Sequence, residues 1–188
     1  MNNRFLIAFI LVLFCINILF SIGCGTLCDK TAIKIYPFTV KVYEKPPDGF
    51  SPADSIRIYG IPERKLKDGT IFDYINGGGL VYLAHGLRET THLVFRDDSG
   101  NQLTVDIFDM GTRENAREAF NDDKICPTKY IPCDIGTTCK AYHFEPDFLL
   151  YFHKSKYLVY MNTNNDSHRN VLESFASEIL IRIPEEEE

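Results

Sequence analysis

Three cysteines crowd into CPTKYIPCDIGTTC, residues 126–139, and His143 follows four residues after the last. Thiolates and imidazoles are soft metal ligands and redox groups, so Cys126, Cys133, Cys139 and His143 are the first residues to weigh for chemistry. Six and five residues separate the cysteines. A zinc knuckle pairs cysteines two to four apart, and a haem attachment needs CxxCH; neither pattern occurs. In an oxidising compartment the same residues read as a disulfide staple across a long loop, with Cys28 as a further partner or a free thiol. Such a bond adds about 2–3 kcal/mol. Its connectivity stays open, and a thiol-based metal or redox site over residues 126–143 stands as the alternative. No cofactor is otherwise implied.

The second candidate is DYINGGGLVYLAHG, residues 73–86. Three glycines inside a helix cost roughly 3 kcal/mol relative to alanine, so something must offset them. A phosphate loop places glycines between a strand and a helix and adds a GK[ST] sequence, which is missing here. Close packing of helix backbone on a sheet is the simpler account. The alternative is a break at Asn76-Gly77 that exposes a helix N-terminus to an anion. Asn76, Gly77, Gly78, Gly79 and Tyr82 are therefore the ligand-binding candidates.

Other chemistry is absent from the sequence. There is no GxSxG, HExxH or Walker sequence. His143-Phe144-Glu145 has the H-x-E of zinc deaminases, but the cysteines precede it at the wrong spacing. His85, His92, His153 and His168 are scattered and read as surface or helix-end residues. Asp106 and Asp109 fall on opposite faces of one strand and make no carboxylate pair. Asp73 reads as a helix cap. No catalytic residue is assigned. The net charge is −6 and the basic residues are dispersed, which excludes nucleic acid as a natural partner.

The elements that must position these residues begin after an apolar leader. Arg4 precedes a run from 5 to 20 in which only Asn17 is polar, followed by SIGCGT. This is an export signal. Gly23-Cys24 fits a bacterial lipobox, making Cys24 the lipidation candidate, although Ser21 departs from the pattern. The rival reading is an uncleaved anchor, since 5–22 approaches the roughly 20 residues that span a bilayer. Either way a bacterial cell-envelope location follows, with the body outside the cytoplasm and tethered to a membrane. Residues 1–23 are thus signal or anchor, 24–54 linker and N-terminal strand region, 55–183 the folded domain and 184–188 an acidic tail.

Within the domain, 34–43 and 55–60 read as short strands and 71–85 as a helix closed by Gly86. Residues 91–97 and 102–109 form a hairpin around the turn DSGN. Thr112 caps a helix ending near Asp123. Strands follow at 140–145, 148–154 and 156–163, with a tight turn at Ser155. A last helix is capped by Asn165 or Ser167 and carries Val171, Leu172, Phe175, Ile179 and Leu180 on its apolar face. The expected fold is α+β: an antiparallel sheet of hairpins with about three helices packed against it. Tyr142, Phe144, Phe148, Tyr151, Phe152, Tyr157 and Tyr160 lie on neighbouring strands, as a core or as an exposed aromatic surface.

FDYINGGGLVYLAHG, followed by a strand and LTVDIFDMGTRENAREAF, resembles the bacterial domain-of-unknown-function family 6599. The carriers are Tyr74 to Gly78, Tyr82-Leu83, and the segment from Val105 to Phe120; the resemblance extends over about residues 56–182. It implies an exported, lipoprotein-like α+β domain and no assigned activity. The cysteine cluster is foreign to that family and inherits nothing from it. Together these readings describe an exported, membrane-tethered domain that binds an envelope protein or a small ligand.

Overall fold

The computed structural model describes residues 35–185. The export segment, Cys24, Cys28 and residues 186–188 lie outside them. Eight antiparallel strands form one sheet: β1 (Phe50–Pro52), β2 (Arg57–Tyr59), β3 (Glu89–Asp97), β4 (Gln102–Asp109), β5 (Ile131–Asp134), β6 (Thr138–Phe144), β7 (Asp147–Lys154) and β8 (Tyr157–Thr163). Their order is β1-β3-β4-β8-β7-β6-β5, and β2 lies beside β1 along the same edge of β3. The α+β class expected from the sequence is the one observed.

Turn chemistry closes the hairpins. Asp97 accepts hydrogen bonds from the amides of Ser99 and Asn101 at 2.9 and 2.8 Å, and Gly100 takes the left-handed conformation that the β3–β4 turn requires. Ser155 adopts φ 50° in the β7–β8 turn, where the tight turn was expected. The β4–β8 pairing, between strands far apart in sequence, joins the two hairpin systems.

Both faces of the sheet are covered. On the first, Leu93, Phe95, Val105, Ile107, Phe148, Leu150, Phe152, Val159 and Met161 pack against helices α1 (Pro37–Glu44) and α5 (Arg169–Arg182). Leu172, Phe175, Ala176 and Ile179 are the buried positions of α5, spaced at three and four residues. On the second face Phe108 and Leu158 meet Ile71, Ala116, Ala119 and Phe120. These come from α2 (Ile71–Ile75), and from α4 (Arg113–Asn121), which Thr112 caps by accepting from the Asn115 amide at 3.1 Å. The aromatic strand residues are therefore mostly core. Phe144, 61% exposed, is the exception.

Three local expectations change. Residues 37–44 are helical rather than extended: Pro37 presets the first turn, and the buried Phe38, Thr39 and Val42 follow helical spacing. β5 emerges inside the cysteine loop and pairs with β6. The helix expected over 71–85 is broken. α2 stops at Ile75, Asn76 turns to φ 48°, residues 76–78 make a 3-10 turn, and α3 (Gly79–Ala84) resumes. Gly86, at φ 79°, ends it as expected.

The glycines divide accordingly. A Cβ on Gly79 would stand 3.0 Å from Ile71 Cγ2, and Ile71 is fully buried, so close packing explains this position. Gly77 and Gly78 face open space, and close packing does not explain them. Gly78 already has right-handed helical angles. Gly78→Ala is therefore expected to raise the unfolding free energy by about 0.4–1 kcal/mol. Gly79→Ala should lower it by about 1 kcal/mol, because the added methyl overpacks Ile71. Urea denaturation of the two variants checks both signs.

Candidate functional site

Side chains alternate across a strand, so even-numbered residues of β3 and β4 face the second side of the sheet. The register then sets six residues in one line across six strands: Arg57 on β2, His92 on β3, Asp106 on β4, Tyr160 on β8, Tyr151 on β7 and Lys140 on β6. Directly opposed residues stand about 4.5–5.5 Å apart, close enough to interact. From His92 to Lys140 the result is a transverse polar row on a face that helices cover, and Arg57 continues it onto the exposed edge.

The centre of the row is tied together by hydrogen bonds. His92 Nδ1 lies 2.7 Å from Asp106 Oδ1. Tyr74, reaching down from α2, donates its hydroxyl to Asp106 Oδ2 at 2.7 Å and lies 2.9 Å from His92 Nδ1. Asp106 is only 3% exposed. A buried carboxylate without donors costs several kcal/mol, and two donors at this distance offset that cost. A carboxylate only accepts, so the His92 proton sits on Nδ1. Nε2 has no partner among the described residues, while the side chain keeps 11% exposure.

Tyrosines roof and flank this centre. Tyr59 stacks on Tyr74 with ring centres 4.9 Å apart and planes at 9°. Tyr82, from α3, stacks on Phe108 at 4.4 Å. Tyr151 and Tyr160 lie 4.9 Å apart, and both remain partly exposed. At the far end Lys140 donates to the Phe120 carbonyl at 2.7 Å, and Tyr142 to the Pro127 carbonyl at 2.7 Å. Burial, then the Asp106 charge, pushes the hydroxyls of Tyr74 and Tyr160 well above the usual tyrosine range. Burial also raises Tyr82, Tyr142 and Tyr151. These groups act as neutral donors with flat apolar faces. The row combines an oriented imidazole, a shielded carboxylate and stacked phenols, which can bind and orient a small molecule bearing an aromatic or apolar body and a polar tip.

Of the candidates read from sequence, Tyr82 belongs to this roof. Asn76, Gly77 and Gly78 form the exposed 3-10 turn behind Tyr74. The Gly79 amide bonds to the carbonyls of Asn76 and Gly77, so it does not point at an anion.

The thiol candidates separate. Cys133 and Cys139 are directly opposed on β5 and β6 and form a disulfide with Cα atoms 5.4 Å apart. The bond spans a short hairpin instead of the long loop expected. Cys139 belongs to the first-face core and the partly buried Cys133 packs against it, whereas Cys126 is buried on the second face. Burial pushes the Cys126 thiol up to about 12, which keeps it protonated. His143 pairs with Asp166 at 3.1 Å on the exposed surface. Among the described residues no group of three or more His, Cys, Asp or Glu is placed to hold a metal ion.

His92 and Asp106 were not legible as a site, because scattered histidines and an isolated aspartate carry no spacing signal. Their shared parity on adjacent strands was the available clue. Asp106 and Asp109 do fall on opposite faces. Asp109 is 2% exposed, accepts from Tyr36, from Lys156 at 2.7 Å and from the Gly111 amide at 2.8 Å. Asp73 caps α2 by accepting from the Thr70 amide at 2.8 Å.

No protein-family model matches the chain, and neither does any curated protein or solved structure.

The tyrosines also dictate a pH dependence. Tyr36, Tyr74, Tyr82, Tyr142, Tyr151 and Tyr160 all have folded-state values raised above the ordinary 10.0. Raised groups stabilise fully below the unfolded value and lose that contribution as pH climbs above it. Stability should hold up to about pH 10 and then fall steeply. Tyrosinate absorbance should appear together with loss of circular dichroism. Gradual ionisation of all tyrosines with the fold intact would contradict the burial described.

Proposed function

We propose that this chain is an exported, membrane-tethered binding domain whose ligand is a small molecule held at the Tyr74–His92–Asp106 row. One observation carries the reading: a covered sheet face keeps a polar row from His92 to Lys140, across five strands, where hydrocarbon side chains would pack at lower cost. His92 Nε2 supplies a polar anchor, and Tyr74, Tyr82, Tyr151 and Tyr160 supply flat apolar contact. The leader and Cys24 supply the export and the tether. No helix among the described residues is long and apolar enough to cross a membrane. The Cys133–Cys139 disulfide agrees with an oxidising envelope compartment.

Two measurements test this. In a bacterial host fed labelled palmitate, the wild-type chain should carry label in the membrane fraction and Cys24→Ser should lose it; an unlabelled cytosolic wild-type protein would remove the tether. For the ligand, thermal-shift screening of small aromatic and hydroxylated compounds should find one that stabilises the fold, by about 2.7 kcal/mol at one hundred times its Kd. His92→Asn keeps a donor towards Asp106 and deletes Nε2, so it should fold and lose the shift. An empty screen together with an adduct-free native mass spectrum would count against the site.

A further inference from the structure

The polar row changes sign along its length. Its lysine and its arginine stand at the two ends and are engaged there. Arg57 pairs with Asp54 at 3.3 Å. Lys140 donates to the Phe120 carbonyl at 2.7 Å, and its ammonium lies 4.5 Å from the centre of the Phe120 ring. Between these ends Asp106 holds a carboxylate whose oxygens are both taken, Oδ1 by His92 and Oδ2 by Tyr74. No lysine or arginine pairs with it among the described residues. Each oxygen has its donor, while the charge faces no fixed cation.

Three tyrosines present aromatic surface beside that charge. Tyr160 is the register partner of Asp106, and Tyr151 of Tyr160. Their rings meet at 47°, as a wedge rather than a stack. Tyr82 stacks one face on Phe108 and keeps the other. Tyr74 offers no face, since Tyr59 and His92 lie 4.9 and 4.8 Å from its ring centre. Burial raises the hydroxyls of Tyr82, Tyr151 and Tyr160; after burial, Asp106 acts on Tyr160, and Cys126 and then Asp106 act on Tyr82. The three rings are thus neutral phenols gathered near one negative charge, and all three are partly exposed.

We propose that this part of the row binds a small quaternary ammonium alcohol, its cation against Tyr82, Tyr151 and Tyr160 beside Asp106 and its hydroxyl donating to His92 Nε2. The inference rests on the reading of the row as a small-molecule site and names the ligand class. An ammonium with N–H groups needs acceptors, and both Asp106 oxygens already have donors. A fully methylated ammonium has no N–H to satisfy and is held by aromatic faces and by an undirected negative field. With its proton on Nδ1, His92 leaves Nε2 as an acceptor, which selects a hydroxyl over a carboxylate at the ligand's other end. Neighbouring strands stand about 4.8 Å apart, so His92 on β3 and a cation over β4 are within reach of a spacer of about two carbons.

The test uses the full chain purified in a maltoside detergent, with choline as the probe and calorimetry as the readout. Choline should bind saturably, and about tenfold more tightly than either ethanolamine or the neutral alcohol in which carbon replaces the choline nitrogen. Glycerophosphocholine carries the same cation with a phosphodiester in place of the hydroxyl, and should bind more weakly than choline. Asp106→Asn should bring choline and the neutral alcohol to equal affinity. Should that variant misfold, Tyr160→Leu should weaken choline by about fivefold to tenfold with circular dichroism unchanged. Equal binding of choline and the neutral alcohol by the wild type, both lost in His92→Asn, would overturn the cation and leave the row standing as a small-molecule site. Ethanolamine or glycerophosphocholine binding as tightly as choline would overturn the methylated cation or the free hydroxyl, respectively. No saturable binding of any of these probes, or undiminished choline binding by folded Tyr160→Leu, would overturn the proposal; only an empty screen of the wider compound set would take the row with it.

Discussion

Asp106 brings a negative charge into a sheet face that helices cover, at 3% exposure. Everything around it is arranged to make that tolerable. Its two oxygens receive one donor from the neighbouring strand and one from the helix above, both at 2.7 Å. Removing either donor strands a lone pair where water has little access, at a cost of about 1–3 kcal/mol. The carboxylate therefore fixes the position of α2 over the sheet as firmly as Ile71 does from the apolar side. It also fixes the ring orientation and tautomer of His92. The break at Asn76 follows naturally: α2 needs only enough length to deliver Ile71 and Tyr74, and α3 restarts after the turn and carries Tyr82.

A second buried carboxylate mirrors the first. Asp109, at 2% exposure, binds Tyr36 and Lys156 where α1 begins on the other face. Each face thus combines an apolar core with a pinned aspartate at which a helix docks. The apolar cores supply most of the free energy. Each fully buried Phe or Leu contributes roughly 1.5–3 kcal/mol. The carboxylates contribute mainly placement, because hydrocarbon packing is non-directional and hydrogen bonds are not.

Much of the architecture was legible in the residues, for physical reasons that can be named. Leu103, Val105 and Ile107 alternate with Thr104, Asp106 and Phe108, and such a period admits only a strand. Asp97 through Gly100 is a turn by chemistry, and Thr112 is a cap by chemistry. Illegible parts depended on long-range contacts. Tyr36 to Tyr43 has β-prone residues, yet it is helical from Pro37 because its buried stripe must follow α5 and the first-face core. Residues 131–134 look like loop until Cys139 stands opposite Cys133. The polar row was invisible for a deeper reason. Parity assigns His92 and Asp106 to faces, but register makes them neighbours, and register comes from the pairing of whole strands. Tyr74 belongs to a helix, so its contact with Asp106 has no sequence spacing at all.

The three-residue step from Asp106 to Asp109 carries one more consequence. β4 presents a pinned carboxylate to each side of the sheet from positions of opposite parity. A slip of one residue against β3 or β8 would exchange the faces of every side chain on the strand. An apolar strand could absorb some of that error, since Leu, Val and Phe find hydrocarbon on either side. β4 cannot, because both carboxylates would leave their donors at once and lie unpaired among apolar groups. The strand works like a key cut on both edges: it enters the sheet in one alignment, and the penalty for any other is electrostatic rather than steric. The pairing that joins the two hairpin systems is thereby proofread by charge.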